Sequence, residues 1–343
     1  MVKYIYQQKN WTNFTWNERK IVVLLAQVRH LQGRVLGRMS ALGFALQKES
    51  TLATLTLDVL KSSEIEGEKL NRAAVRSSIA RRLGIEIAGE IYADRNTEGV
   101  VEMMLDATQN FSQPLTEDRL FGWHAALFPS GRSGMYKIKA GCYRTGDMQI
   151  VSGALDNEKV HYEAPKPEVI PAEMNLFLKW LNTENKQDPV IKAAIAHLWF
   201  VTLHPFDDGN GRIARAITDM LLARSDESSQ RFYSMSAQIQ KERKKYYAAL
   251  EKMQHNNNDI TLWLNWFLTC LNHALFATEQ TLQNILYKAD FWNKHTKTSF
   301  NDRQKLMLNK LLDGDFRGKL QSSKWAKMAK CSPDTALRDI RDL

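Results

Sequence analysis

The residues best suited to chemistry in this sequence lie between Leu198 and Arg215, in the string L-W-F-V-T-L-H-P-F-D-D-G-N-G-R-I-A-R. His204 is the one side chain there that titrates near neutral pH unaided, which suits it to take a proton from an attacking hydroxyl. Asp208 offers a hard oxygen to Mg²⁺, an ion usually held by one or two carboxylates and substrate phosphates. Gly209, Asn210 and Gly211 form a glycine-rich turn feeding a helix, where free backbone amides and the helix dipole both favour an anion. Arg212 and Arg215, at i and i+3, bring two planar donor forks to one helical face. Read without chemistry, the same string is a helix–loop–helix corner with solvated arginines and a capping aspartate. Several phosphate- and metal-binding devices converge on this one turn, and that favours phosphate chemistry.

Helices must hold that turn. Asp188 to Leu203 is an apolar helix leading into it, and Ile217, Met220 and Leu221 continue the helix leaving it. Trp16 to Leu36 has apolar residues at helical spacing (Ile21, Leu24, Leu25, Val28, Leu31, Val35). Thr51 to Leu60 is a further apolar helix running into Ser62-Ser63-Glu64-Ile65-Glu66-Gly67-Glu68, an acidic helix end closed by glycine. Residues 98 to 128 read as more helix, with Thr116 or Glu117 opening one that carries Trp123, His124 and Leu127. His124 is expected to be packed or capping, and His197 a core histidine or one supporting the site from behind. Glycine-bounded apolar runs between Phe128 and Gly153 read as a β-hairpin, and Val160 to Pro167 as a proline-punctuated link. Pro171 to Leu181, Lys241 to Met253 and Asp259 to Leu275 complete the helical reading, the last with Asp259 as N-cap.

At 343 residues, 44% hydrophobic and 25% charged, the chain is an ordinary globular sequence with room for two or three domains. No apolar run reaches the ~18 residues of a membrane helix, and the N-terminus lacks a signal peptide's apolar core. Cys142, Cys270 and Cys331 are scattered, without metal spacing, and read as thiols of a reducing compartment. The expectation is a cytoplasmic protein without a membrane partner. The net charge of +9 is concentrated after Lys288. There Asn301 or Asp302 caps a helix with Leu306, Leu308, Leu311 and Leu312 as its apolar residues, and G-D-F-R-G breaks it. A second helix starts at Ser322 or Ser323, and Ser332-Pro333 opens a third, with Thr335, Arg338 and Arg341 along it. The pair resembles a winged helix-turn-helix without strands for a wing, which raises DNA contact through residues 322–343.

His204-Pro205-Phe206-Asp207-Asp208-Gly209-Asn210-Gly211-Arg212-Ile213-Ala214-Arg215 resembles the Fic-domain signature H-x-F-x-[DE]-G-N-G-R-x-x-R at every specified position. The resemblance implies a mainly α fold: a Fic-type helical core with a β-hairpin flap, an N-terminal helical domain and a C-terminal (winged) helix-turn-helix. It implies transfer of AMP from ATP, with Mg²⁺ on Asp208, to a Ser, Thr or Tyr hydroxyl of a target protein, His204 acting as base. Doc-type kinases of the superfamily carry Lys at the position of Gly211, so this glycine argues for nucleotidyl transfer. By resemblance the nucleotide is bound by Phe206, Gly209, Asn210, Gly211, Arg212 and Arg215, with Tyr246, Tyr247 and Gln254 around the adenosine. Ile150 and Val151 are the implied flap residues that hold a target segment by strand-like pairing.

Ser62-x-x-x-Glu66-Gly67 resembles the inhibitory motif [ST]-x-x-x-E-[GN] of autoinhibited Fic proteins, which implies that Glu66 pairs with Arg215 and obstructs the γ-phosphate position. The W-x-x-F-x-W pattern (Trp11, Phe14, Trp16) resembles the helical domain before the core of some bacterial members. The implied boundaries are 1–90 for the N-terminal helical domain, with the inhibitory helix at about 51–70, 91–280 for the core and 288–343 for the C-terminal module. Self-modification and a homodimer accompany the resemblance as further expectations. Three alternatives stay open at the level of sequence: removal of AMP from modified protein using Glu66, a DNA-binding regulator whose Fic site senses nucleotide, and transfer of a different group such as UMP or phosphocholine.

Overall fold

The computed structural model describes residues 4–87, 89–152, 159–184, 187–312 and 319–343. Among them are fourteen α-helices and four short strands, so the chain is mainly α. It divides into two compact units, 1–275 and 276–343.

The first unit is built on a helical hairpin. α7 (Pro189–Leu203) begins with Pro189 at N1, and Asp188 accepts a hydrogen bond from the Val190 amide at 2.8 Å. It is apolar on nearly every face, with thirteen of its residues buried, because other helices surround it. α8 (Asn210–Asp226) packs back against it. Ahead of them come α1 (Glu18–Ser40), α2 (Phe44–Ile65), α3 (Arg72–Arg82), α4 (Arg95–Gln109) and α5 (Glu117–Leu127), the last capped by Thr116. α2 packs on α3, α4 and α8 and on α9 (Met235–Lys241). Its buried Asp58 accepts from Ser234, while Arg231, also buried, pairs with Asp219 and Asp226 at 3.1 and 3.0 Å, so charged groups tie these elements together inside the unit. Trp11 and Phe14 pack edge-on against Trp199 of α7, with ring centroids 5.7 and 5.9 Å away. α6 (Ile170–Asn182) and α10 (Arg243–Gln254) complete the surround.

Two small antiparallel pairs replace the single hairpin expected between Phe128 and Gly153. β1 (Arg132–Ser133) pairs with β2 (Tyr136–Lys137), and β3 (Gln149–Ser152) with β4 (Lys159–Glu163), with a register shift between Ile150 and Val151. β4 corrects the reading of Val160–Pro167 as a link. Tyr162 is buried and its hydroxyl donates to the Thr202 carbonyl at 2.7 Å, an anchor 40 residues away that no local pattern signals. Gly153, also read into the hairpin, lies outside the described residues.

α11 (Thr261–Lys294) runs well past Leu275, the end expected from sequence. No Gly or Pro interrupts residues 261–294, so nothing local stops the helix. Asp259 accepts from the Thr261 amide at 2.9 Å at its start.

The second unit has its own core of Met307, Trp325, Ala326 and Ala336. It contains α12 (Asp302–Leu312), α13 (Ser322–Ala329) and α14 (Pro333–Arg341). Asn301 and Gln304 form a reciprocal capping box, each side chain bonding the other's amide at 2.9 Å. The buried residues of α12 are Gln304 and Met307, whereas Leu306, expected on the apolar face, is 44% exposed. The G-D-F-R-G break lies outside the described residues. Ser332 caps α14 through the Thr335 amide.

Candidate functional site

The turn between α7 and α8 is shaped by three backbone decisions. His204 ends α7 in the left-handed region at φ 49°, and Pro205 cannot continue the helix. Gly209 starts α8 at φ 78°, where a Cβ would also lie 2.9 Å from the Phe128 ring. Between them the buried Asn210 accepts from the Phe206 amide at 3.0 Å and donates to the Phe206 carbonyl at 2.8 Å, closing the loop on itself. The first helical bond runs from the Ile213 amide to the Gly209 carbonyl, so the amides of residues 210–212 precede the helical ladder.

His204 Nδ1 lies 3.2 Å from the Val201 carbonyl. With the proton on Nδ1, that contact leaves the Nε2 lone pair free to accept another. Burial holds the imidazole pKa below 6.5, outweighing Glu66 and Asp208, whose charges act to raise it. The ring is therefore neutral, and competent as a base, at neutral pH.

Asp208 accepts from its neighbour's amide, Gly209, at 2.6 Å and from the hydroxyl of Ser133 in β1. Asp207 accepts from the Lys139 amide at 3.1 Å. The β1–β2 segment thus lies on the acidic side of the turn.

The other side of the turn is filled by the end of α2. Glu66 is the C-cap and Gly67 adopts φ 87°. Glu68 N donates to Ser63 O and Gly67 N to Glu64 O, both at 3.0 Å, the paired bonds of a Schellman ending. Arg215, 1% exposed, donates to Ser62 Oγ and Ser62 O at 2.8 Å and to Glu66 Oε1 at 2.7 Å. Arg212 donates to Glu68 Oε2 at 2.7 Å and lies over the Phe128 ring at 5.1 Å. Gly211 matters here for a second reason. A Cβ on it would stand 2.1 Å from Glu66 Oε1, so any side chain at 211 would force the Glu66 carboxylate to shift from its place on Arg215.

Other expected residues are arranged in layers. Phe206 is fully buried, stacked on His124 at 4.2 Å beneath the loop, and does not face outward. His124 is buried too, accepts from the Gly141 amide at 3.0 Å, and is held at about 4 chiefly by burial. Tyr246 is 2% exposed and its hydroxyl meets His197 Nε2 at 2.9 Å, while Tyr247, 39% exposed, covers it with ring centroids 5.1 Å apart. His197 also meets Thr218 at 2.8 Å and is depressed to about 3, first by burial and then by Arg215, so it is a neutral core histidine. Gln254 is buried near the end of α10. On β3, Ile150 packs inward against the Tyr4–Tyr162 cluster, and Val151 is 40% exposed.

Arg144 was invisible in the sequence. It is 2% exposed and donates to the carbonyls of His204 at 2.8 Å, Gly146 at 2.9 Å and Pro165, while its own amide donates to Pro205 O at 2.9 Å. One guanidinium therefore joins the backbone of the central histidine to the segments entering β3 and leaving β4. Ser133, Phe128 and Glu68 likewise carry no sequence signal of their own, apart from the acidity of the α2 end for the last. A cavity of about 610 Å³ lined by Phe111, Pro114, Asn182, Lys192, Leu221 and Arg224 includes none of the residues of the turn. Among the described residues no group of three or more His, Cys, Asp or Glu is placed to hold a metal, and no helix is long and apolar enough to cross a membrane.

Comparison with known proteins agrees with this geometry. Residues 4–85 match a domain of unknown function (DUF4172), and residues 114–222, which include the whole turn, match the Fic/DOC family. A probable protein adenylyltransferase of Aquifex aeolicus is 25% identical over 209 residues, 61% of this chain and 55% of that protein. The protein adenylyltransferase Fic of Nematostella vectensis is 24% identical over 224 residues, 64% of this chain and 47% of the relative. The chain thus spans about half the length of these curated relatives. The crystal structure of a Fic family protein from Desulfovibrio desulfuricans superimposes with a TM-score of 0.58 at 21% identity, covering 95% of this chain and 88% of that one. With the signature, the helical hairpin that displays it and the matched fold in agreement, residues 114–222 are a Fic/DOC family domain.

Proposed function

We propose that this protein is a protein adenylyltransferase that moves AMP from ATP to a hydroxyl side chain of a target protein and is held back by Glu66. The observation carrying this reading is the turn between α7 and α8, where a neutral histidine sits beside the leading amides of α8 and two buried arginine forks. The relatives named as protein adenylyltransferases support it.

In this reading the target segment lies along the edge of β3 opposite β4, beside the exposed Val151. His204 Nε2 takes the proton of the target hydroxyl. The hydroxyl oxygen bonds to the α-phosphorus as the bond to the bridging oxygen of the β-phosphate breaks, and pyrophosphate leaves with that electron pair. The amides of residues 210–212, Arg212 and Arg215 stabilise charge developing on the phosphates. Tyr247 offers its exposed ring to the adenosine, with Tyr246 behind it. Asp208 and the neighbouring Ser133 hydroxyl supply only hard oxygens, a donor set that fits Mg²⁺ completed by substrate phosphates rather than by a cage of side chains. When bound, the ion would neutralise phosphate charge.

The brake follows from occupancy. While Glu66 and Ser62 hold Arg215, the fork needed by the phosphate is taken. Labelling with ATP radioactive at either the α- or the γ-phosphate tests the whole reading. Label from the α position alone, stronger in Glu66→Gly and lost in His204→Ala, is the expected result. Label from the γ position would mean a kinase. An unlabelled lysate together with AMP released from modified protein would mean the reverse reaction, and transfer no higher in Glu66→Gly would remove the brake.

A further inference from the structure

We infer that Glu68 is a second brake on the same site, acting on Arg212 separately from the action of Glu66 on Arg215. The inference rests on the proposed role of those arginines in binding nucleotide phosphates.

The Schellman ending of α2 makes the arrangement possible. With Gly67 in the left-handed region, the chain reverses so that Glu66 and Glu68 both face α8. Their partners, Arg215 and Arg212, are one helical turn apart on one face. Each carboxylate therefore has its own arginine, with contacts of equal length at 2.7 Å. The two acids of the S-S-E-I-E-G-E stretch fill the cradle together, as a pair of anions where a polyphosphate would place its own.

The two sides of the Glu68 pair differ in exposure. The Arg212 side chain is 7% exposed and lies against Phe128, whereas the Glu68 side chain is 39% exposed. A buried guanidinium needs an anion or acceptor in the resting protein, because leaving it bare costs more than an exposed charge would. Glu68 meets that need and can still swing into water when a phosphate arrives. It is a competitor for the site, displaced without moving Arg212. Ser62 adds two bonds to Arg215 but none to Arg212, so the Arg212 contact is the more easily opened of the two.

The test uses the full chain as wild type, Glu66→Gly, Glu68→Ala, Glu68→Gln and the Glu66→Gly/Glu68→Ala double variant. Calorimetric titration with a non-hydrolysable ATP analogue is paired with transfer of label from the α-phosphate. Glu68→Ala is expected to lower the Kd roughly fivefold, and the double variant to bind more tightly than Glu66→Gly by a similar factor. Glu68→Gln, which keeps an acceptor but not the charge, should fall between wild type and Glu68→Ala. Unchanged affinity in Glu68→Ala, with a double variant matching Glu66→Gly, overturns the second brake. If the affinities shift as expected but no variant transfers label, the adenylyl-transfer reading fails while the Glu68 contact stands. Absence of analogue binding by every variant overturns both.

Discussion

At the scale of single residues, the site depends on groups whose charge state is set by burial. His204 is the chief case, since its surroundings lower its pKa from 6.5 and its Nδ1 faces the Val201 carbonyl. A base must be deprotonated to act, so transfer should rise with pH through a midpoint below 6.5 and stay level above it. Initial rates measured from pH 5 to 8 in the Glu66→Gly background check this, and a midpoint above 7 would contradict it. His204→Ala should lose roughly 10²- to 10⁴-fold in rate, the usual worth of a general base. Gly211 shows a different control at this scale. Its missing side chain both opens the amide turn and admits Glu66, so one residue type serves the proposed active and inhibited states.

At the scale of elements, the site is held by contacts between segments far apart in sequence. Arg144 is the clearest, with three backbone carbonyls around one buried guanidinium. Arg144→Ala would strand those carbonyls in the interior. Hydrogen bonds to a charged group are worth about 1.5–3 kcal/mol each, and the shared desolvation cost of the arginine reduces their sum. We expect a loss of about 3 kcal/mol in urea unfolding. Arg144→Lys, which keeps the charge without the fork, should recover part of it. A stability equal to wild type in Arg144→Ala would show that the carbonyls find other donors. The α2 ending is the corresponding device on the opposite side of the turn, where a helix terminus rather than a loop presents the acids.

At the scale of the whole molecule, the two units have separate cores, and every contact described for the candidate site lies within residues 1–275. Trp325 is fully buried among Met307, Ala326 and Ala336 in the second unit. Trp325→Ala should destabilise that unit by about 3–5 kcal/mol. Hydrogen exchange should then rise across α12 to α14, while affinity for the ATP analogue stays at the wild-type value. A weakened affinity would show that the second unit contributes to the first unit's site.

Much of this protein was determined by local sequence. The helical repeats, the Asp188, Thr116, Asn301 and Ser332 caps, and the H-P-F-D-D-G-N-G-R-I-A-R turn depend on neighbours within a few residues, so their geometry follows from the local string. The pairing of Glu66 with Arg215 was also legible, because both ends belong to specific motifs. Tertiary structure alone decided the rest. β4 is anchored where Tyr162 reaches Thr202, and Phe206 turns inward because aromatic rings from α5, α7 and the segment before β3 gather around it. Arg144 on three carbonyls and Glu68 on Arg212 join positions separated by up to 144 residues. Such contacts leave no spacing to read, since burial and charge pair residues that meet only after the chain has folded.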